Sequence, residues 1–153
     1  MSPETAARWT QILAIGSFLC AVLIAAGAYP PLNGALMVML DTVDWPVDGA
    51  TAPLAKEARL LSAVSGGVFA GFSVMLLLIV APALRRGDAE IRKSSIIALI
   101  AWYVIDSTGS VAAGVPGNVA FNTLYLAAVL APLVFAAKPS RAETGGAVHA
   151  RGM

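Results

Sequence analysis

The chain has a single cysteine, a single histidine and little charge, and each shortage removes a class of function. Cys20 has no partner for an internal disulfide and lies within an apolar run, so it reads as a small hydrophobe. His149 sits in a polar tail without a second ligand near it, which leaves no donor set for a metal. A formal net charge of +1 gives nothing with which to hold a nucleic acid. No glycine-rich nucleotide loop and no nucleophile constellation can be found, so no cofactor is expected and catalysis is disfavoured.

What the chain does have is apolar surface. Of its 153 residues, 58% are hydrophobic and 12% charged, with a mean hydropathy of +0.79. A soluble domain carries about 25% charged residues and could not hide this much apolar area. Four stretches, about 9–29, 60–84, 95–114 and 118–137, approach or exceed the roughly 20 residues a helix needs to cross about 30 Å of hydrocarbon. Backbone in lipid must satisfy itself, and no alternating barrel pattern is present. The expected fold is therefore all-α, an integral membrane four-helix bundle over 1–138, with an outer loop at 30–59 and a disordered cytoplasmic tail at 139–153.

Punctuation and charge thread the bundle. Pro30-Pro31 stops the first span, Gly87-Asp88 breaks the second, and Val115-Pro116-Gly117 turns the third into the fourth. Arg8, the Arg85, Arg86, Arg92 and Lys93 loop, and Lys138 with Arg141 all fall on one side, whereas the first loop carries Asp41, Asp44, Asp48 and Glu57 against Lys56 and Arg59. The positive-inside rule then puts both termini in the cytoplasm. Trp9 and Tyr29 are expected to bracket the first span at the headgroups. A signal peptide ending near Ala26-Gly27-Ala28 is the competing reading, against which this run is long for a cleaved apolar region.

In the outer loop, 32–40 is apolar but too short to span, so it reads as an interfacial or re-entrant segment and a possible lid. Asp41, Asp44 and Asp48 invite a calcium-loop reading, but the spacing of a calcium-binding loop is missing and turn carboxylates are the plainer account. Thr51-Ala52-Pro53 suits the start of the next helix. Arg59 follows close to the lipid boundary, where it is expected to pair with Glu57 or a loop aspartate. Gly67 and Gly71 give a small-xxx-small pattern expected to pack inside the bundle, with a homodimer seam as the alternative.

Asp106 is the most informative residue, because a carboxyl group within a spanning stretch needs a compensating partner. A hairpin turning at Val115-Pro116-Gly117 sets Asp106 level with Tyr125. Asn118, Asn122 and Tyr125 share one face of the fourth span, and Asp106, Gly109, Ser110 and Ala113, with Ser107 beside them, supply the facing surface. Candidate ligand-binding residues are thus Asp106, Ser107, Ser110, Asn122, Tyr125 and Arg59. Polar glue that merely fastens the hairpin is the structural alternative.

In Asp44-Trp45-Pro46-Val47-Asp48-Gly49, in Glu57-Ala58-Arg59-Leu60-Leu61-Ser62-Ala63-Val64-Ser65-Gly66-Gly67 and in Asp106-Ser107-Thr108-Gly109-Ser110-Val111-Ala112-Ala113-Gly114, the chain resembles a group of small, uncharacterised bacterial inner-membrane proteins with four predicted spans. That resemblance implies a bacterial inner membrane and no particular activity. Three functions remain open on the sequence. The first is non-enzymatic binding of a small or lipid-like molecule, or support of a larger membrane assembly or homo-oligomer, with membrane lipid as the standing partner. The second is a small oligomeric proton-coupled transporter or channel titrating Asp106. The third is an intramembrane lipid- or sterol-modifying enzyme, which lacks a visible second acid or base.

Overall fold

In the computed structural model, which describes residues 1–49 and 54–137, every regular element is a helix. Four are long and apolar enough to cross a membrane: α1 (Pro3–Ala26), α3 (Lys56–Arg86), α4 (Ala89–Ala112) and α5 (Gly117–Phe135). The short α2 (Asn33–Val43) follows α1. The chain is an all-α membrane protein, and its spans pack as a four-helix bundle. The Thr51–Pro53 helix start and the 139–153 tail lie outside the described residues, and the described part of α3 begins at Lys56.

Ser2 accepts the Thr5 N–H at 3.1 Å and Pro3 occupies the first turn, so α1 starts six residues before Trp9. Trp9 is consequently inside the helix and does not mark its end. Its indole N–H donates to the Ala128 carbonyl of α5 at 3.2 Å. The reason lies one turn further on: Pro132, inside α5, has no N–H to give to the carbonyl four residues back. Trp9 fills a gap that proline opens.

Along α1 the buried residues Ala7, Thr10, Ala14, Ser17 and Ala21 recur at alternating spacings of three and four, and all are small. That stripe makes α1 the helix against which α2, α3 and α5 all pack. Apolar side chains gain little by leaving lipid, so spans associate through close backbone contact and hydrogen bonds between helices. The α1–α3 seam shows both. A Cβ placed on Gly66 would lie 2.7 Å from the Ala21 carbonyl oxygen and from Ala25, and the Ser62 hydroxyl donates to the Ile24 carbonyl at 2.7 Å. The expected internal seam at Gly67 and Gly71 is not formed, since both are exposed and a Cβ on either meets nothing within 4 Å. One residue of phase, 100° of helix, separates Gly66, which packs, from Gly67, and Gly71 lies one turn further along the row of Gly67.

Pro82 disturbs α3 as Pro132 disturbs α5. In a regular helix its ring would strike the Leu78 carbonyl, and the chain instead widens into a π-turn over Leu76–Val80, with the Ala81 N–H donating to Leu76. Gly87, at φ 70°, ends the helix, and Asp88 caps α4 by accepting the N–H groups of Glu90 and Ile91. At the opposite end of the bundle α2 contacts both α1 and α5. Leu36 is buried against Gly27, and the Val43 carbonyl presses on Gly117, where no Cβ would fit. Asp41 accepts the N–H groups of Asp48 and Gly49 at 3.2 Å, which makes it a turn-forming residue.

Two stability outcomes follow, measurable by unfolding in mixed micelles. Trp9→Phe is expected to cost roughly 1 kcal/mol in the native chain and much less in a Pro132→Ala background, where an alanine N–H satisfies Ala128. Gly66→Ala is expected to cost about 1–3 kcal/mol through the clash with α1, while Gly67→Ala and Gly71→Ala are neutral or stabilising by up to about 1 kcal/mol.

Candidate functional site

α4 and α5 form an antiparallel hairpin whose reversal is made by Gly114 at φ 81°, with the Val115 N–H returning to the Ser110 carbonyl. Along the seam the two helices are joined by polar rungs. Asn118 donates to the Ser110 hydroxyl at 2.8 Å, Asn122 reaches the Ser107 hydroxyl at 3.4 Å, and the Tyr103 and Thr123 hydroxyls are 2.9 Å apart. Ser107 and Asn122 are buried, and the others are half-buried or exposed.

Asp106 occupies the rung nearest the turn, half-buried. Because α4 reaches back to Ala89, Asp106 is not central in its span; it lies six residues from Ala112, roughly 9 Å from that end of the helix. Its carboxylate is weakly served. Ser110 gives its hydroxyl hydrogen chiefly to the Asp106 backbone carbonyl at 2.8 Å, leaving a long 3.3 Å contact to Oδ1, and Asn118 adds another at 3.4 Å. Among the described residues no donor is within hydrogen-bond reach of Oδ2. Each contact lies at the weak end of the distance range for such bonds.

Tyr125 does not meet Asp106, contrary to the sequence-based expectation. Its hydroxyl is 2.9 Å from that of Ser17 on α1, and its ring stacks edge-on with Phe69 of α3 and Trp102 of α4, at centroid distances of 5.7 and 5.5 Å. One side chain of α5 thus touches all three other spans. Its true depth is that of Trp102, one helical turn from Asp106. Arg59 is also elsewhere: it begins α3, which contacts α4 only toward the opposite end of the bundle, and among the described residues it has no ion pair. Glu57 is likewise unpaired there, so the expected fastening of the loop by that pair is absent from the described part.

Of the six candidates the structure therefore joins Asp106 with Ser110 and Ser107 with Asn122 along one seam, and places Tyr125 and Arg59 outside it. Asn118 is the residue sequence reasoning undervalued. It lies on the stripe with Asn122 and Tyr125, and its place in the first turn of α5 puts it against Ser110. Ser17 was not among the residues that the sequence singled out. Among the described residues no cluster of three or more His, Cys, Asp or Glu could hold a metal. Comparison with known proteins gives no matching family model, no matching curated sequence and no matching solved structure.

A double-mutant cycle separates the observed partner from the expected one. Asp106→Leu combined with Asn118→Ala should show a coupling of roughly 0.6 kcal/mol in unfolding, whereas Asp106→Leu combined with Tyr125→Phe should be additive.

Proposed function

We propose that this is a non-enzymatic multi-pass membrane protein that works by association, a component of a larger membrane assembly with Asp106 as its polar contact. The observation that carries this reading is a carboxylate within a span, served only by two long hydrogen bonds, on the helix that shows the most surface. The exposed residues of α4 include Ile97, Ile100, Val104, Ile105 and Val111, and only Leu99 and Ser107 are buried. A polar group held against lipid at such a position gains from a donor brought by a neighbouring helix, because hydrocarbon offers none. The reading of Asp106 as the floor of a small-molecule cavity has less support. Two grooves of about 370 and 210 Å³ are both lined by other residues.

We place the protein in a bacterial inner membrane with both termini in the cytoplasm. Support comes from charge: Arg8, Arg85, Arg86, Arg92 and Lys93 gather at the end that bears the N-terminus, and Asp41, Asp44, Asp48 and Glu57 gather at the other. Retention of α1 fits its position, since cleavage near Ala28 would remove the helix on which α2, α3 and α5 pack.

The test is gentle extraction of the tagged full-length protein into lipid discs from the cells that make it. A stoichiometric second subunit is expected, retained with Tyr103→Phe and lost with Asp106→Leu, while the Asp106→Leu protein keeps its thermal transition within a few degrees. A lone bundle, or a subunit indifferent to Asp106→Leu, would overturn the reading.

A further inference from the structure

A groove of about 370 Å³ opens at the end of the bundle that carries the N-terminus, between the start of α4 and the end of α5. Its lining is layered. Arg92 and Lys93 stand at the rim, and Ile96 and Ile97 lie one turn further along the same two rows of α4, roughly 6 Å deeper. Leu84 and Ala136 complete the apolar part.

We propose that this groove is a binding site for one anionic phospholipid, its phosphate held by Arg92 and Lys93 and the start of an acyl chain lying over Ile96, Ile97 and Leu84. The order of the layers is what identifies the occupant. In a bilayer the helix ends meet headgroups, and the next turn inward meets hydrocarbon, so a cationic step above an apolar step matches a lipid in its ordinary posture. A free phosphate would use the rim and leave the apolar step without purpose.

The charges allow it. One Arg92 Nη1 hydrogen goes to the Ala136 carbonyl at 3.1 Å, which fixes the guanidinium across the groove between α4 and α5 and leaves its other N–H groups as donors. Lys93 is exposed and has no ion pair among the described residues. Asp88 also lines the groove and would oppose an anion, but its Oδ1 accepts the Glu90 and Ile91 N–H groups at the positive end of the helix dipole. Nearby, Arg85 is paired with Glu4 at 3.2 Å, and Glu90 and Arg86 are exposed and do not line the groove.

The full-length protein, freed of lipid in detergent, is titrated with phosphatidylglycerol and with phosphatidylcholine of identical chains, and adducts are counted by native mass spectrometry. One phosphatidylglycerol should survive conditions that strip phosphatidylcholine. Its affinity should fall roughly fivefold in Lys93→Gln and further in the Arg92→Gln, Lys93→Gln double variant, and stay unchanged in Arg86→Gln. Ala89→Trp, which crowds the groove from the turn before Arg92 and Lys93 while leaving both cations in the sequence, should also expel it. Equal retention of both lipids, an Arg86→Gln loss as large as that of Lys93→Gln, or a full phosphatidylglycerol adduct in Ala89→Trp would each overturn the proposal. The Lys93→Gln variant keeps the Arg92 bond to Ala136, so its result is read on a folded hairpin.

Discussion

Everything in this bundle depends on α1 approaching its neighbours closely. Water drives soluble helices together, but in lipid an exposed leucine and a buried one differ little, so contact has to come from backbones brought near enough for dispersion and hydrogen bonds to act. The stripe of Ala7, Thr10, Ala14, Ser17 and Ala21 provides that approach on one side and Gly66 with Ser62 on the other. Small residues on α1 also make room for a large one elsewhere. Tyr125 can extend from α5 to Ser17 because nothing bulky on α1 stands in its way, and its ring then fills the space between Phe69 and Trp102. The small side chains of α1 thus leave room for one aromatic ring to reach all three other spans.

Two prolines inside spans present the same problem and receive different answers. Each removes an N–H and leaves the carbonyl four residues earlier without its helical donor, which in hydrocarbon cannot be made good by water. At Pro82 the helix itself adapts, widening by one residue into a π-turn. At Pro132 the helix stays regular and another helix supplies the donor, through Trp9. The second solution ties α1 to α5 near the end where the backbones of Met1 and Ala137 also pair, and where Arg92 joins α4 to Ala136. Local repairs of backbone damage have become the contacts that hold that end of the bundle together.

Hydropathy made the four spans legible because length and apolarity are sufficient evidence for a helix in lipid. It could not fix phase. Gly66 and Gly67 are adjacent and equally small, and only three-dimensional packing decides that the first meets α1 and the second faces outward. Depth failed for a related reason. A turn centred on Pro116 makes Asp106 level with Tyr125, but the rungs Ser110–Asn118 and Ser107–Asn122 centre close to Gly114, where the left-handed backbone reverses the chain. Moving the centre by two residues moves each partner by about four, one full turn. The bond from Trp9 to Ala128 was not legible either, because nothing in the sequence sets Trp9 against the carbonyl that Pro132 leaves without a donor.

Those corrections sharpen the question of Asp106. Three other carboxylates explain themselves through what they bind: Asp41 organises a turn, Asp88 caps a helix, and Glu4 pairs with Arg85. Asp106 is the one acidic residue of the described spans that stands away from a helix end, and the hairpin does not need its charge. Asn118 and Ser110 would bond to each other at 2.8 Å without it, and Ser107–Asn122 and Tyr103–Thr123 hold the same seam independently. A leucine at that position would lie more comfortably in lipid than a carboxylate with two long hydrogen bonds. The hairpin's own stability therefore gives no account of why the residue is acidic, and a donor arriving from outside the chain gives a direct one.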